Sequence, residues 1–192
     1  MAFKDALKNK SRLFIYASSI VLGIASLVAI QSFKYSLSEK IDSEAKGLLG
    51  ADYLVQSSQA YNDTQLGLID SLGDERCYEN SFASMLYFEK GEAFRLVNVK
   101  AISSNYPFYG EVETEPADLI HKVNDGDYAI VDKTIMLQLN LSVGDTINIG
   151  LKELEVIGAV SKALGGNGIA AAVAPPVYIP SNALEQTGIL KV

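Results

Sequence analysis

Few of the 192 residues are of a kind that does covalent or metal chemistry. There is one histidine, His121, in "ADLIHKV", and one cysteine, Cys77, in "RCYENSF". A lone histidine cannot supply a two-His metal site, and here it reads as an exposed helix residue. A lone cysteine closes no intramolecular disulfide, and near the start of a strand it reads as a buried, inert thiol. The run "EVETEPAD" gathers Glu111, Glu113, Glu115 and Asp118. That is enough negative charge to attract a divalent cation weakly, but the spacing is not that of a calcium loop, and a solvated acidic surface is the expectation. "LGGNGIA" is glycine-rich, yet no Lys-Ser/Thr follows it, so "LGGNGIAAAVAPP" reads as a flexible small-residue loop rather than a phosphate cradle. No G-x-S-x-G elbow is present, and Asp125 and Asp127 in "NDGD" are turn formers. The expectation is a chain without catalytic, cofactor-binding or metal-binding residues.

The feature that organises everything else is "RLFIYASSIVLGIASLVAIQSF". After Arg12 it runs 21 residues, Leu13 to Phe33, without a charge, and lysine resumes at Lys34. As a helix it is roughly 31 Å long, the thickness of a hydrocarbon core. A signal-peptide core is shorter and ends in a small-x-small site, which "VAIQSFKYS" lacks, so cleavage is disfavoured. The division expected is a cytoplasmic basic N-terminus over 1–12, a transmembrane helix over 13–33 anchored by Arg12 and Lys34, a helical stalk over 34–50, and an extracytoplasmic domain over 51–192. The first twelve residues carry four basic groups against one acidic, +3, while from Lys34 onward 12 basic and 22 acidic residues give −10. Basic residues before the span place the N-terminus in the cytoplasm and the acidic remainder outside; the resemblance described below implies the cytoplasmic (inner) membrane. An acidic outer part without a basic patch also excludes a nucleic-acid partner. Ser19-x-x-x-Gly23 and Ala25-x-x-x-Ala29 are small-xxx-small pairs that let membrane helices approach closely. In the stalk, Leu37, Ile41, Ala45 and Leu48 form an apolar stripe, and Gly50 sits where a left-handed residue would end the helix.

Beyond the stalk the pattern breaks into short elements. "DYLVQSS" reads as a strand, and Asp63 as the cap of a helix through "TQLGLIDSL". "CYENSFASMLYFEK" and "EAFRLVNVKAI" read as a long hairpin. "ADLIHKV" and "KTIMLQLNL" read as helices, "YAIVD" and "VYIP" as strands, and "SVGDTINIG" with "LKELEVIGAVSK" as an antiparallel pair. The class is α+β with an antiparallel or mixed sheet, because no long βαβ alternation is visible.

"SSIVLGIASLVAIQSFKYSLSEKIDSEAKGLLGADYLVQSS", then "LSVGDTINIG", "LEVIGAV" and "PPVYIP", in that order, resemble the FtsX/MacB-like ABC transporter permeases, most closely their YbbP-type branch. The resemblance implies a non-catalytic permease whose first membrane helix leads into a MacB-like periplasmic core domain. It implies partners: a cytoplasmic ABC ATPase that holds the ATP and Mg, a second permease copy or paralogue, membrane lipid, and a lipid, lipoprotein, peptide or protein substrate outside. Such a permease transmits nucleotide-driven helix movement to its outer domain. Four or more membrane helices belong to the family and this chain carries one, so a fragment of a longer permease is expected, with its outer domain incomplete. The alternative is a single-anchor extracytoplasmic binding or assembly protein acting as an oligomer; a membrane-tethered hydrolase is a third reading, without residues to support it. Phe82, Met85, Tyr87, Phe88, Tyr106, Phe108 and Tyr109 are candidates for a lipid-handling surface.

Overall fold

The computed structural model describes residues 10–164 and 169–189, with backbone alone at 10–13, 42–43, 48 and 169–170. It divides into two compact units, Met1–Ala45 and Lys46–Val192.

The described residues of the first unit form one helix. α1 runs Lys10–Leu49, 40 residues without a break, about 60 Å at 1.5 Å per residue. No proline interrupts it, and the hydroxyl of Ser26 donates back to the carbonyl of Leu22 at 2.8 Å, satisfying a polar group inside the apolar stretch. The helix crosses the unit boundary, and its last four residues, Lys46–Leu49, belong to the second unit.

The second unit is built on one mixed sheet of seven strands: β1 (Glu79–Phe88), β2 (Ala93–Ile102), β3 (Glu113–Glu115), β4 (Tyr128–Asp132), β5 (Thr146–Ile149), β6 (Lys152–Lys162) and β7 (Pro176–Pro180). The order is β3-β6-β4-β7-β2-β1-β5, and β5 also pairs with β6, so six strands close into a ring with β3 added outside. β2 with β7 and β4 with β6 are parallel; the other pairs are antiparallel. The closure depends on β6. Its first residues, Lys152–Glu155, pair with β5, and its later ones, from Glu155 on, pair with β4. Within the β4-paired part an extra residue, Ile157, opposite Ala129/Ile130 makes a bulge that bends the strand.

Alternation along the strands explains two apolar clusters. Val97, Val99 and Ala101 of β2, Ala129 and Val131 of β4, and Val177 and Ile179 of β7 point into one, with Leu86, Phe88, Ile147, Ile149, Leu154 and Val156. Ile130 and Tyr178, on the opposite faces of β4 and β7, join Ile102, Tyr106, Val112, Leu119, Ile120, Val123 and Val160 in the other. Every residue of β7 is buried, which is why "PPVYIP" reads as a continuous apolar run. Short helices close the gaps: α2 (Asp63–Asp70), α3 (Leu119–Lys122) with a 3-10 turn at Val123–Asp125, α4 (Lys133–Gln138), α5 (Ile169–Val173) and α6 (Ser181–Gln186).

Three sequence expectations change. Residues 52–58 form no strand, and Tyr53, Leu54 and Val55 are exposed. Their β-branched and aromatic character gives a tendency that only a partner strand converts into structure, and none of the described strands pairs with them. α2 is capped by Asn62 rather than Asp63: the Asn62 amide oxygen accepts from the Gln65 amide at 2.9 Å while Gln65 Oε1 accepts from the Asn62 amide at 3.0 Å. Residues 169–173 of the expected small-residue loop are helical, as a run of three alanines favours; residues 165–168 lie outside the described ones.

Phe88 is fully buried between both sheet partners of β1. Phe88→Ala is expected to cost about 3–5 kcal/mol, whereas Leu137→Ala, on an exposed face of α4, should stay within about 0.5 kcal/mol. Urea denaturation followed by tyrosine fluorescence measures both.

Candidate functional site

With no cluster of three or more His, Cys, Asp or Glu side chains able to hold a metal among the described residues, the chemistry-bearing side chains are placed as ordinary structure. His121 is exposed on α3. Cys77 lies two residues before β1, half-buried, and burial, with the nearby Glu79 carboxylate, pushes its thiol above the usual value. It is therefore mostly protonated and a poor nucleophile near neutrality. The acidic run is dispersed rather than gathered. Glu113 pairs with Lys162 at 3.2 Å and Glu115 with Lys133 at 2.6 Å across β3 and its surroundings. Asp127 pairs with Lys152 at 2.7 Å. Of the aromatic candidates, Phe88 and Tyr106 are core, Phe82, Tyr87 and Phe108 are half-buried, and Met85 and Tyr109 are exposed. Burial, reinforced by Glu79, holds the Tyr106 phenol well above its usual range.

Two other features stand out in the structure. The first is α1. Phe14–Gly47 is long and apolar enough to cross a membrane, and its large apolar side chains among the described residues, such as Ile20, Leu27 and Phe33, are exposed. Ser19, Gly23, Ala25 and Ala29 are all exposed on it, and nothing lies within 4 Å of where a Cβ on Gly23 would sit. At 100° per residue, Ser19 and Gly23 lie about 120° around the helix from Ala25 and Ala29, so the two pairs form separate stripes rather than one seam. Lys34 is exposed at the end of the apolar run, and Leu37, Ile41 and Ala45 share one exposed face. Arg12 and Leu48 fall on α1, but their side chains are outside the described residues. The sequence reading missed two aromatic pairs, Phe14/Tyr16 and Phe33/Tyr35, all exposed. Tyr16 and Tyr35 stand about 28 Å apart along the helix, the spacing of the two aromatic belts at bilayer surfaces. Aromatic residues flanking an apolar run were the available signal.

The second feature is a joint inside the second unit, where the last turn of α1 meets the loop after β2. Gly50, at φ +74°, ends the helix, and its amide donates to the Lys46 carbonyl at 2.9 Å. The Gly50 carbonyl then accepts from the amides of Phe108 and Tyr109 at 2.9 and 3.0 Å. Gly110, at φ +76°, lies so close that a Cβ there would overlap the Gly47 carbonyl oxygen and the Leu164 side chain. Glycine is required twice over, for conformation and for approach. Around this backbone contact Lys46 Nζ bonds Asp52 Oδ1 at 2.6 Å and lies 5.6 Å from the Tyr109 ring centre, while the Tyr109 hydroxyl donates to Asp52 Oδ2 at 2.9 Å. The hydrogen bond from Lys46, then that from Tyr109, holds the Asp52 carboxyl below its usual range, and Asp52 in turn raises the Tyr109 phenol. Neither Tyr109 nor Gly110 was recognisable in the sequence as a partner of "LLGAD", since the contact joins segments some sixty residues apart.

The motif segments are structural in the same sense. In "LSVGDTINIG" the Asp145 carboxylate accepts from the Ser142 amide at 2.6 Å and from Lys90 Nζ at 2.9 Å, tying the β1–β2 hairpin tip to the turn before β5. Lys90 first, then the Ser142 amide, holds its carboxyl below the usual range. The backbone of Gly144 and Asp145 bonds to Val156 in "LEVIGAV".

Two outcomes follow for the joint. In Gly110→Ala, amide hydrogen exchange of the 107–111 segment should rise by tenfold or more, because the Cβ displaces the backbone contact. Since the Asp52 carboxyl is depressed in the fold, its contribution is present above the unfolded value near 4 and is lost as pH falls through the folded one. Exchange protection at Phe108 and Tyr109 should therefore weaken below about pH 4, and Asp52→Asn should abolish that dependence.

Comparison with known proteins agrees with this architecture. The model of the MacB-like periplasmic core domain matches residues 13–190. The chain is 27% identical over 148 residues, 77% of its length, to a protein described as an uncharacterized ABC transporter permease, YbbP, of Escherichia coli (strain K12), and spans 18% of that relative's length. Among solved structures, the periplasmic region of MacB from Actinobacillus actinomycetemcomitans matches at 20% identity over 57% of this chain and 50% of that one, with a TM-score of 0.37. A long apolar helix, a mixed-sheet domain and a family match over nearly the whole length place the chain in the MacB-like periplasmic core domain family of ABC transporter permeases.

Proposed function

We propose that this chain is the leading membrane helix and part of the outer domain of an ABC-type permease that transmits movement and performs no chemistry of its own. The observation that carries the reading is the unbroken α1, which begins in an apolar span and ends in a glycine-closed joint. A continuous helix transmits displacement along its axis, whereas a Gly/Ser-rich linker absorbs it. In this reading residues 1–12 are cytoplasmic, 13–33 cross the inner membrane and the acidic domain lies outside. A cytoplasmic ABC ATPase holds the ATP and Mg, a second permease copy or paralogue completes the membrane part, and the outer domain acts on a lipid, lipoprotein, peptide or protein. Ser19/Gly23 and Ala25/Ala29, on separate stripes, are contacts for two different neighbouring helices. The Leu37, Ile41, Ala45 and Leu48 stripe is a contact for a second stalk.

Gly23→Leu tests this directly, because open space around Gly23 means that the substitution leaves α1 itself undisturbed. The expected result is loss of ATPase co-purification from detergent-solubilised membranes by tenfold or more, with the chain still resistant to carbonate extraction. Unchanged recovery would remove the helix-packing reading. Failure of the wild-type chain to recover any ATPase would instead promote the single-anchor assembly protein.

A further inference from the structure

We infer that the Glu79–Lys100 ion pair, acting through Tyr106, holds the loop of the α1 joint in place, which makes Lys100 and Tyr106 positioning residues for that joint. The inference rests on the proposed transmission of movement through α1 for its use, and names the side chains that root the joint in the sheet.

The loop between β2 and the joint is stitched to the chain just before β1. The Ser103 amide donates to the Tyr78 carbonyl at 3.0 Å, the Tyr78 amide to Ser103 Oγ at 2.9 Å, and Asn105 Nδ2 to the Arg76 carbonyl at 2.7 Å. Of residues 103–110 only Tyr106 is buried. It belongs to the cluster of Ile102, Val123 and Ile130, and its ring centre lies 6.5 Å from that of Tyr178 in β7. Two residues further on, the Phe108 amide bonds the Gly50 carbonyl. Tyr106 is thus the deepest root of the loop that meets α1.

Charge surrounds that root. Lys100 Nζ of β2 bonds Glu79 Oε1 of β1 at 3.0 Å, with 14% and 27% of the two side chains exposed. No other ion pair among the described residues has both members so shielded. Lys100 Nζ also stands 5.6 Å from the centre of the Tyr178 ring. Burial first, then the Glu79 carboxylate, raises the phenols of both Tyr106 and Tyr178, which sets that carboxylate beside the two rings.

A shielded pair is screened by salt less than a surface pair. Removing one member leaves the other charged and poorly solvated. Without Lys100, the Glu79 carboxylate gains by turning towards water, and in doing so it leaves the Tyr106 hydroxyl. A buried hydroxyl stripped of its partner carries the full cost of desolvation. The strands keep their ladders, so the loop that carries Tyr106 gives way first, and the contact to Gly50 loosens with it.

The test reads amide exchange of the 107–111 segment in the full, detergent-solubilised chain. Lys100→Met should raise it by about fivefold or more. Lys90→Met, which removes the ion pair to Asp145 at the other end of the same hairpin, should change it by less than about twofold. In a Tyr106→Phe background, Lys100→Met should add less than about twofold, because the hydroxyl through which it acts is gone. Glu79→Gln, which keeps an acceptor but no charge, is the milder variant if Lys100→Met does not fold, and should give a smaller rise of the same sign. No rise in either variant, an equal rise in Lys90→Met, or an undiminished effect of Lys100→Met without the Tyr106 hydroxyl would overturn the inference. The transmission reading is judged separately by Gly23→Leu, so either can fail while the other stands.

Discussion

The sheet depends on one strand holding three neighbours. β6 pairs with β4 along one edge, and with β5 and then β3 along the other. At Glu155 it has Thr146 of β5 on one edge and Tyr128 of β4 on the other, and this double pairing closes the ring. Closure fixes the interior. It brings Val97 and Val99, Val177 and Ile179, and Ile147 and Leu154 into one cluster although they come from three distant parts of the chain. It also shields the edges of β4 and β7, which are buried on both faces and could not tolerate solvent.

On this rigid base sits a joint made almost entirely of backbone. Two positive-φ glycines, a carbonyl accepting two amides and an ion pair with a phenol form a contact that leaves little room for slack. A side-chain contact of the same extent could shift between rotamers. Here backbone ties the last turn of α1 to the Phe108–Gly110 loop, and the Leu164 side chain lies against both Gly50 and Gly110.

Much of this was legible in the sequence, and the reasons differ by element. The apolar run, the hairpin, β4, the β5–β6 pair and β7 each announce themselves by local periodicity. So did the helix end at Gly50, because the left-handed residue lies next to the segment it stops. What was not legible depends on partners far along the chain. The ring closure is invisible because β5 and β6 look like a simple hairpin until β1 is set beside them. Tyr53–Val55 has the composition of a strand but pairs with none of the described strands. The small-xxx-small pairs were visible, but their division into two stripes appears only when the turn per residue is counted.

The position of β7 bears on how such a domain forms. It is a central strand, with Val177 opposite Val99 on one side and Val131 on the other, yet it is among the last elements made. Until residue 180 has emerged, β2 and β4 have nothing between them, and the faces that Val177, Tyr178 and Ile179 will cover stay open to water. The hairpin and the β5–β6 pair can form early from local contacts, whereas the core cannot close before the end of the domain arrives. The order of the strands therefore makes closure of this core wait on a strand made late, however early its neighbours form.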